Sequence, residues 1–225
     1  MENKLRESQL VFLGKLLAGY THELKNHLAI INESSGLMDD LLMMSEEGDE
    51  KLHLRFRKII VTIGERISAA NIMAMYLNRI AHRMDSPLSH CNVNDLLTEE
   101  LALMERFGAM KNISFDKNLQ KEIPSVYNNP SLLQFIIFSL VNDLMERLTS
   151  GSVIRFSSSA RGDDVVLHIE SVGPFDSDGG AVDSGLMVQI LDFAAEKADI
   201  SLSQNVSSGA GLNNILTISS KMMAS

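Results

Sequence analysis

Among 225 residues the chain has one cysteine, Cys91, four prolines and no tryptophan. A single thiol excludes an internal disulfide, and no Cys/His spacing has the form of a zinc site, so no metal is expected. Long apolar runs are also missing. The densest, residues 135–144, is broken by Ser139, Asn142 and Asp143 and is too short to cross a bilayer. The first eight residues are polar and mixed in charge, unlike a secretory leader. Positive charge is scarce: 20 Lys and Arg stand against 29 Asp and Glu, leaving a net charge of −9. A nucleic-acid binder needs a basic stripe, so that class is disfavoured. Together these absences predict a cytoplasmic protein with neither a membrane nor a nucleic acid among its partners.

What is present begins as helix. Residues 5–44 read as one long helix, 46–49 (Glu-Glu-Gly-Asp) as a turn, and 51–84 as a second helix. The second carries Phe56, Ile60, Ile63, Ile67, Ala70, Ala74, Leu77, Ala81 and Met84, whose steps alternate four and three as a heptad seam does. Two long helices joined by a short turn form an antiparallel hairpin, and a lone hairpin cannot bury both seams. Pairing of two hairpins into a four-helix bundle, and so a homodimer, is the natural completion. Asp85-Ser86-Pro87 ends the second helix.

Beyond residue 86 the pattern changes. Asn94 reads as the cap of a helix from Asp95 to Phe107, and residues 113–115 as a strand. Asn129-Pro130 starts a helix with Leu132, Leu133, Ile136, Ile137, Leu140, Leu144 and Leu148 on one face. Residues 152–159 and 165–170 read as strands turning at Arg161-Gly162-Asp163. Residues 185–197 read as a helix, and 200–204 and 213–219 as closing strands around a Ser-Gly-rich turn. The fold class is therefore α+β: a helical hairpin over 1–86, then an α/β sandwich over 87–225 with helices on one face of a mixed sheet. Glu46-Glu47 and Glu99-Glu100 read as solvated faces, and the thirteen methionines as core filler.

One stretch of the first helix resists a packing explanation. In Thr21-His22-Glu23-Leu24-Lys25-Asn26-His27-Leu28, His22 points away from the apolar stripe of Leu10, Leu13, Leu17, Tyr20, Leu24, Ile31 and Met38. Asn26, four residues on, shares its face, Glu23 flanks both, and Lys25 sits beside them. Histidine titrates near neutrality and is often recruited for chemistry. His27 instead falls on the stripe and reads as a core or seam histidine.

His-Glu-Leu-Lys-Asn followed by His27-Leu28 resembles the H-box of two-component sensor histidine kinases, His-Glu-x-x-(Thr or Asn)-Pro-Leu, with His27 in place of proline. The resemblance implies that His22 is the phosphoacceptor, that Glu23 is its base, and that Asn26 positions a water for dephosphorylation. The second half resembles the ATP-binding domain of the same family, so the likeness covers nearly the whole chain. Residues 132–142 resemble the N-box Leu-x-Gln-x-x-x-Asn-Leu-x-x-Asn-Ala, Gly173-Pro174 the G1 box Asp-x-Gly-x-Gly, and Ser184-Gly185-Leu186 the end of the G2 box. Asn142, Gly173 and Gly185 thus stand at nucleotide-binding positions. Asn142 fits equally a buried amide bonded to backbone, and the two glycines fit simple turns.

The departures from the family pattern fall on the nucleotide side. Phe138 replaces the first N-box asparagine, a magnesium ligand, and Asp143 and Met145 replace an alanine and a basic residue. Ser171 stands where the family has the adenine-reading aspartate, and Phe175 replaces the second G1 glycine. A phosphate cradle needs the close backbone approach that glycine permits, and Asp176, Asp178 and Asp183 add repulsion. The expectation is a histidine phosphotransferase that has lost tight ATP binding, needs no cofactor of its own, and exchanges phosphoryl groups with response-regulator receiver domains that bring their own Mg2+. Lys25 would steady the phosphoryl oxygens. Two readings stand beside it: an ATP-dependent histidine autokinase, and a non-enzymatic dimeric scaffold or regulator. Asn26 also leaves room for phosphatase activity toward a receiver.

Overall fold

A computed structural model describes residues 1–43, 50–175, 184–206 and 211–220. The expected turn at 46–49, with Glu46 and Glu47, lies outside the described residues. So do Asp176, Asp178 and Asp183, most of the Ser-Gly-rich turn, and the Ser184 side chain.

Two long helices open the chain, α1 (Glu2–Met43) and α2 (Glu50–His82), and pack together as a hairpin. The heptad seam of α2 divides. Phe56, Ile63, Ala70 and Leu77 are half-buried, whereas Ile60, Ile67, Ala74, Ala81 and Met84 are exposed, and the fully buried Ile59 and Ile80 lie off the seam. Steps of four and three generate two adjacent rows of side chains. One row meets α1 and the other is left uncovered.

The sandwich follows, with a small antiparallel pair, β1 (Ser89–Cys91) and β3 (Val126–Asn128), beside the main sheet. Neither was expected, because three-residue strands are too short to show alternation. The main sheet takes β2 (Ser114–Leu119), β4 (Val153–Arg161), β5 (Asp164–Val172), β6 (Ile200–Val206) and β7 (Leu212–Ile218) in the order β2-β4-β5-β7-β6. Only the β2–β4 pairing is parallel, so the sheet is mixed as predicted. Ile154, Phe156, Val165, Leu167, Ile169, Leu216 and Ile218 alternate onto its buried face. Above it lie α3 (Val93–Met110), α4 (Pro130–Arg147) and α5 (Ser184–Ala198).

Asn129 caps α4 as expected, accepting from the Leu132 N–H at 2.9 Å, with Pro130 in the first turn. The cap of α3 is Asn92, not Asn94. Asn92 has extended backbone and accepts from the N–H groups of Asn94 and Asp95, while the Asn94 amide reaches the Gln120 carbonyl at 2.8 Å. α4 is buried nearly all round, from Leu133 and Ile137 on one side to Phe135 and Phe138 on another. A helix apolar on every side needs cover on every side. The sheet supplies one cover and α1 another, so one apolar core runs through both halves of the chain.

Glu99 and Glu100 are not solvated. Glu99 is 3% exposed and pairs with Arg79 at 2.6 Å and Arg83 at 2.5 Å, tying the end of α2 to α3. Glu100 is fully buried and neither carboxyl oxygen has a hydrogen-bond partner. Burial pushes its pKa well above the ordinary 4.5, an effect that the Arg83 guanidinium only partly offsets. The folded chain therefore holds this proton more tightly than the unfolded chain. Its contribution to stability is full below the ordinary value and is lost as pH rises through the raised one. Glu100→Gln cannot ionise. Denaturant midpoints measured from about pH 5 to about pH 8 should fall less steeply for this variant than for the parent, and parallel curves would refute the assignment.

Candidate functional site

On a helical wheel the face that α1 buries against the sandwich carries Leu5, Phe12, Leu16 and Gly19. This face is rotated from the predicted stripe: Leu10 and Leu17 are 69% and 53% exposed. The expected stripe was the most continuous apolar row, but the sandwich selects a row in which a small residue allows close approach. A Cβ on Gly19 would lie 2.8 Å from the Phe107 ring on α3.

His22, Lys25 and Asn26 are exposed and Glu23 is half-buried. Asn26 Nδ2 donates to Glu23 Oε2 at 3.3 Å, so the amide and the acid are held together one turn from the imidazole. The four predicted phosphotransfer residues therefore form one surface patch. His27 is buried at 7% exposure, as expected of a seam position, but its Nδ1 has no hydrogen-bond partner.

The positions that resemble a nucleotide site are engaged by the chain itself. Phe138 is 5% exposed and packs on Phe12 of α1, ring centroids 4.8 Å apart, while Phe12 meets Phe135 edge-on at 6.2 Å. Asn142 donates to Glu146 Oε1 at 2.9 Å and accepts from Lys15 Nζ at 3.3 Å. The alternative of an amide bonded to backbone is thus replaced by one bonded to side chains. Ser171 is 2% exposed and is closed by the Leu212 backbone, accepting from its N–H at 2.8 Å and donating to its carbonyl at 3.3 Å. Arg147 lies 5.0 Å from the centre of the Phe175 ring, and Thr149 donates to the Pro174 carbonyl through both N–H and hydroxyl.

Of the residues around this region, Lys15, Met110, Lys111 and Glu146 were not singled out from sequence. Lys15, Phe107, Met110, Lys111, Phe138, Asn142, Met145 and Glu146 line a half-open cavity of about 240 Å³ where α1, α3 and α4 meet. Lys15 lies seven residues before His22, which places it on the same helix face, and that spacing was the available signal. Met110 is 70% exposed and Met43 86%, so the methionines are not uniformly core filler. Cys91 is buried and burial pushes its thiol pKa up, opposite to what a nucleophilic cysteine requires. Among the described residues no group of acidic, histidine and cysteine side chains could hold a metal ion, and no helix is long and apolar enough to cross a membrane.

Gly173 and Gly185 are not equivalent. Gly173 has φ +137°, and a Cβ there would come 2.8 Å from the Ser152 Cβ, whereas a Cβ on Gly185 would meet open space. Gly173→Ala should cost about 1–3 kcal/mol in a denaturation experiment without nucleotide, through backbone strain and overlap. Gly185→Ala should stay within about 0.5 kcal/mol of the parent. Equal losses at both positions would contradict the structural role of Gly173.

No protein-family model matches the chain. It is 21% identical over 204 residues to the signal transduction histidine-protein kinase AtoS of Escherichia coli (strain K12), covering 88% of this chain and 31% of that protein. It is 25% identical over 168 residues to sporulation kinase E of Bacillus subtilis (strain 168), covering 74% of this chain and 21% of that one. The chain thus spans between a fifth and a third of the length of these relatives. Among solved structures, the Acinetobacter baumannii histidine kinase AdeS aligns with TM-score 0.50 at 14% identity over 89% of this chain and 98% of its own. The catalytic domain of histidine kinase ThkA aligns with TM-score 0.52 at 17% identity over 60% and 96%. The hairpin followed by the sandwich has the fold of these solved histidine kinase structures, a pair of long helices first and an α/β sandwich second.

Proposed function

We propose that the chain is a histidine phosphotransferase of a two-component phosphorelay, passing a phosphoryl group between receiver aspartates through His22 without binding ATP. One contrast carries the reading. His22, Lys25 and Asn26 stand open on the surface with Glu23 half-buried beside them, while Phe138, Asn142 and Ser171, at positions that resemble a nucleotide site, are packed or bonded by the chain's own Phe12, Lys15 and Leu212 backbone.

In this reading residues 1–86 are the phosphotransfer domain and 87–225 a degenerate ATPase-type domain. The neutral His22 imidazole attacks the phosphorus of an aspartyl phosphate in line. A nitrogen–phosphorus bond forms, the phosphorus–oxygen bond breaks, and its electron pair leaves with the receiver's carboxylate. Glu23, held by Asn26, takes up the imidazole proton, and Lys25 steadies the phosphoryl oxygens. A second receiver's aspartate then attacks His22-bound phosphorus by the reverse step. Positioning and charge neutralisation supply most of such a transfer. The receiver brings Mg2+, which neutralises charge on its own phosphoaspartate.

Dimerisation belongs to the same reading. Leu28, Leu54, Ile60, Val61, Ile67 and Ile72 are exposed on the hairpin, an apolar surface that a second hairpin would cover in a four-helix bundle. Light scattering at micromolar concentration should give the mass of two chains, and Ile67→Glu should shift it to one. A single-chain mass for the parent would remove the bundle.

The names of the relatives favour a second reading, an ATP-dependent autokinase with a divergent pocket. Incubation with labelled ATP and magnesium separates the two. The phosphotransferase takes label only from a phosphorylated receiver, and His22→Ala takes none from either donor. Label from ATP alone on His22 would establish the autokinase, and undiminished transfer in His22→Ala would remove both.

A further inference from the structure

We propose that the cavity at the joint of α1, α3 and α4 is a docking socket for the phosphorylated receiver domain. It takes one large apolar side chain of that partner while Lys15 and Lys111 face the partner's acidic surface. The proposal rests on the reading that His22 exchanges phosphoryl groups with such a domain, and it names where else on this chain the partner is held.

Size sets the class of occupant. The cavity measures about 240 Å³, below the roughly 300–1,000 Å³ of pockets that enclose small-molecule ligands. That volume suits a single inserted side chain, the form of an interface anchor. Its walls are Phe107, Phe138 and Met145, and its lip is Met110, 70% exposed. Thioethers are flexible and polarisable, so such a lip adapts to more than one partner side chain, as a relay protein serving two receivers requires.

Charge sets the class of partner. Two lysines and one glutamate line the cavity, a positive balance in a chain of net charge −9. Lys15 pairs with Glu146 at 3.7 Å, whereas Lys111 Nζ donates to the Met145 carbonyl at 3.0 Å and, among the described residues, has no carboxylate partner. A domain that carries a negatively charged phosphoaspartate has the complementary sign.

Position connects the socket to the chemistry. Lys15 and His22 share one face of α1, seven residues or about 10 Å apart along the axis. A globular domain of about 100 residues has a radius of gyration near 13 Å. A domain of that size whose phosphoaspartate meets His22 is large enough to extend along α1 to the level of Lys15, which lines the cavity beside Met110. The socket would then be the second point that fixes the partner's orientation, supplied by a sandwich that otherwise has no part in the transfer.

The test uses the full chain and a receiver domain phosphorylated by acetyl phosphate, with single-turnover transfer to His22 followed at rising receiver concentration. Met110→Asp should raise the half-saturating concentration about tenfold while leaving the maximal rate unchanged, because an anchor contributes to binding and not to the reacting atoms. Lys111→Glu should act in the same direction and also flatten the salt dependence of transfer. Circular dichroism and the two-chain mass should be unaltered in both. An unchanged half-saturating concentration in both variants, with His22→Ala inactive, would overturn the socket and leave the relay reading standing. A parent chain that takes no phosphoryl group from a receiver would overturn the relay reading and the socket with it. Loss of the two-chain mass in Met110→Asp would overturn the socket by assigning the cavity to a second copy of this chain.

Discussion

The Phe12 ring is the constraint on which the arrangement of the molecule depends. It lies against Phe138 and Phe135 of α4 and so makes the first helix a member of two structures at once, the hairpin and the sandwich. Truncating a well-buried phenylalanine costs about 3–5 kcal/mol, a large part of a domain's net stability. No surface pair in the joint approaches that. Lys15–Glu146, both partners more than a third exposed, is of the kind worth about 0–1 kcal/mol, and the Glu2–Lys197 pair is likewise solvent-screened. Apolar contact holds α1 on the sandwich, and the charged groups set the register. Because His22 is ten residues along the same helix, this contact also fixes where the imidazole stands relative to α3 and α4.

The second attachment is different in kind. Glu99 is almost wholly buried between Arg79 and Arg83. Removing charges from water is costly, so such a cluster is a poor source of net stability. It is a demanding source of geometry, since breaking it leaves an uncompensated buried charge. Glu100 is its neighbour in sequence but not in environment, a carboxyl without a hydrogen-bond partner whose pKa burial pushes well above its ordinary value. An aromatic wedge near one end of the sandwich's helical layer and an ion cluster where α2 gives way to α3 together leave α1 and α2 two fixed points on the second half. A hairpin attached at two points presents His22 in one orientation, as the proposed relay reading requires.

Most elements were legible in the sequence because their periods are strong. The two long helices, α4 with its Asn129 cap and Pro130, and the alternating strands β4, β5 and β7 each carry many residues of one pattern. The exposed His22 and its neighbours were also legible, since the wheel itself separates them from the apolar row. What failed to show depended on partners remote in sequence. Nothing local reveals that Glu99 and Glu100 are buried, because their cover is α2 and the Arg79–Arg83 pair. Asn92 and Asn94 are equally good caps on paper, and a contact to Gln120 decides between them. The sandwich-facing row of α1 was obscured because Gly19 has no apolar side chain, yet its smallness admits Phe107.

Four of the positions that align with the kinase nucleotide motifs, Phe138, Asn142, Ser171 and Phe175, share a property. A binding site that merely stopped being maintained would leave polar groups without partners and a void where the ligand had been, and both are costly in a packed interior. Here Phe138 has Phe12, Ser171 has both backbone groups of Leu212, Phe175 has Arg147, and Asn142 has Lys15 and Glu146. Each of these four has an intramolecular contact of its own. The remaining space, the cavity under Met110, is apolar at its walls and positive at its rim. Under the proposed reading the sandwich is therefore not an inert remnant. Its helical layer has exchanged the task of holding a nucleotide for that of holding α1, and the gap left in that exchange lies within one domain's reach of the histidine.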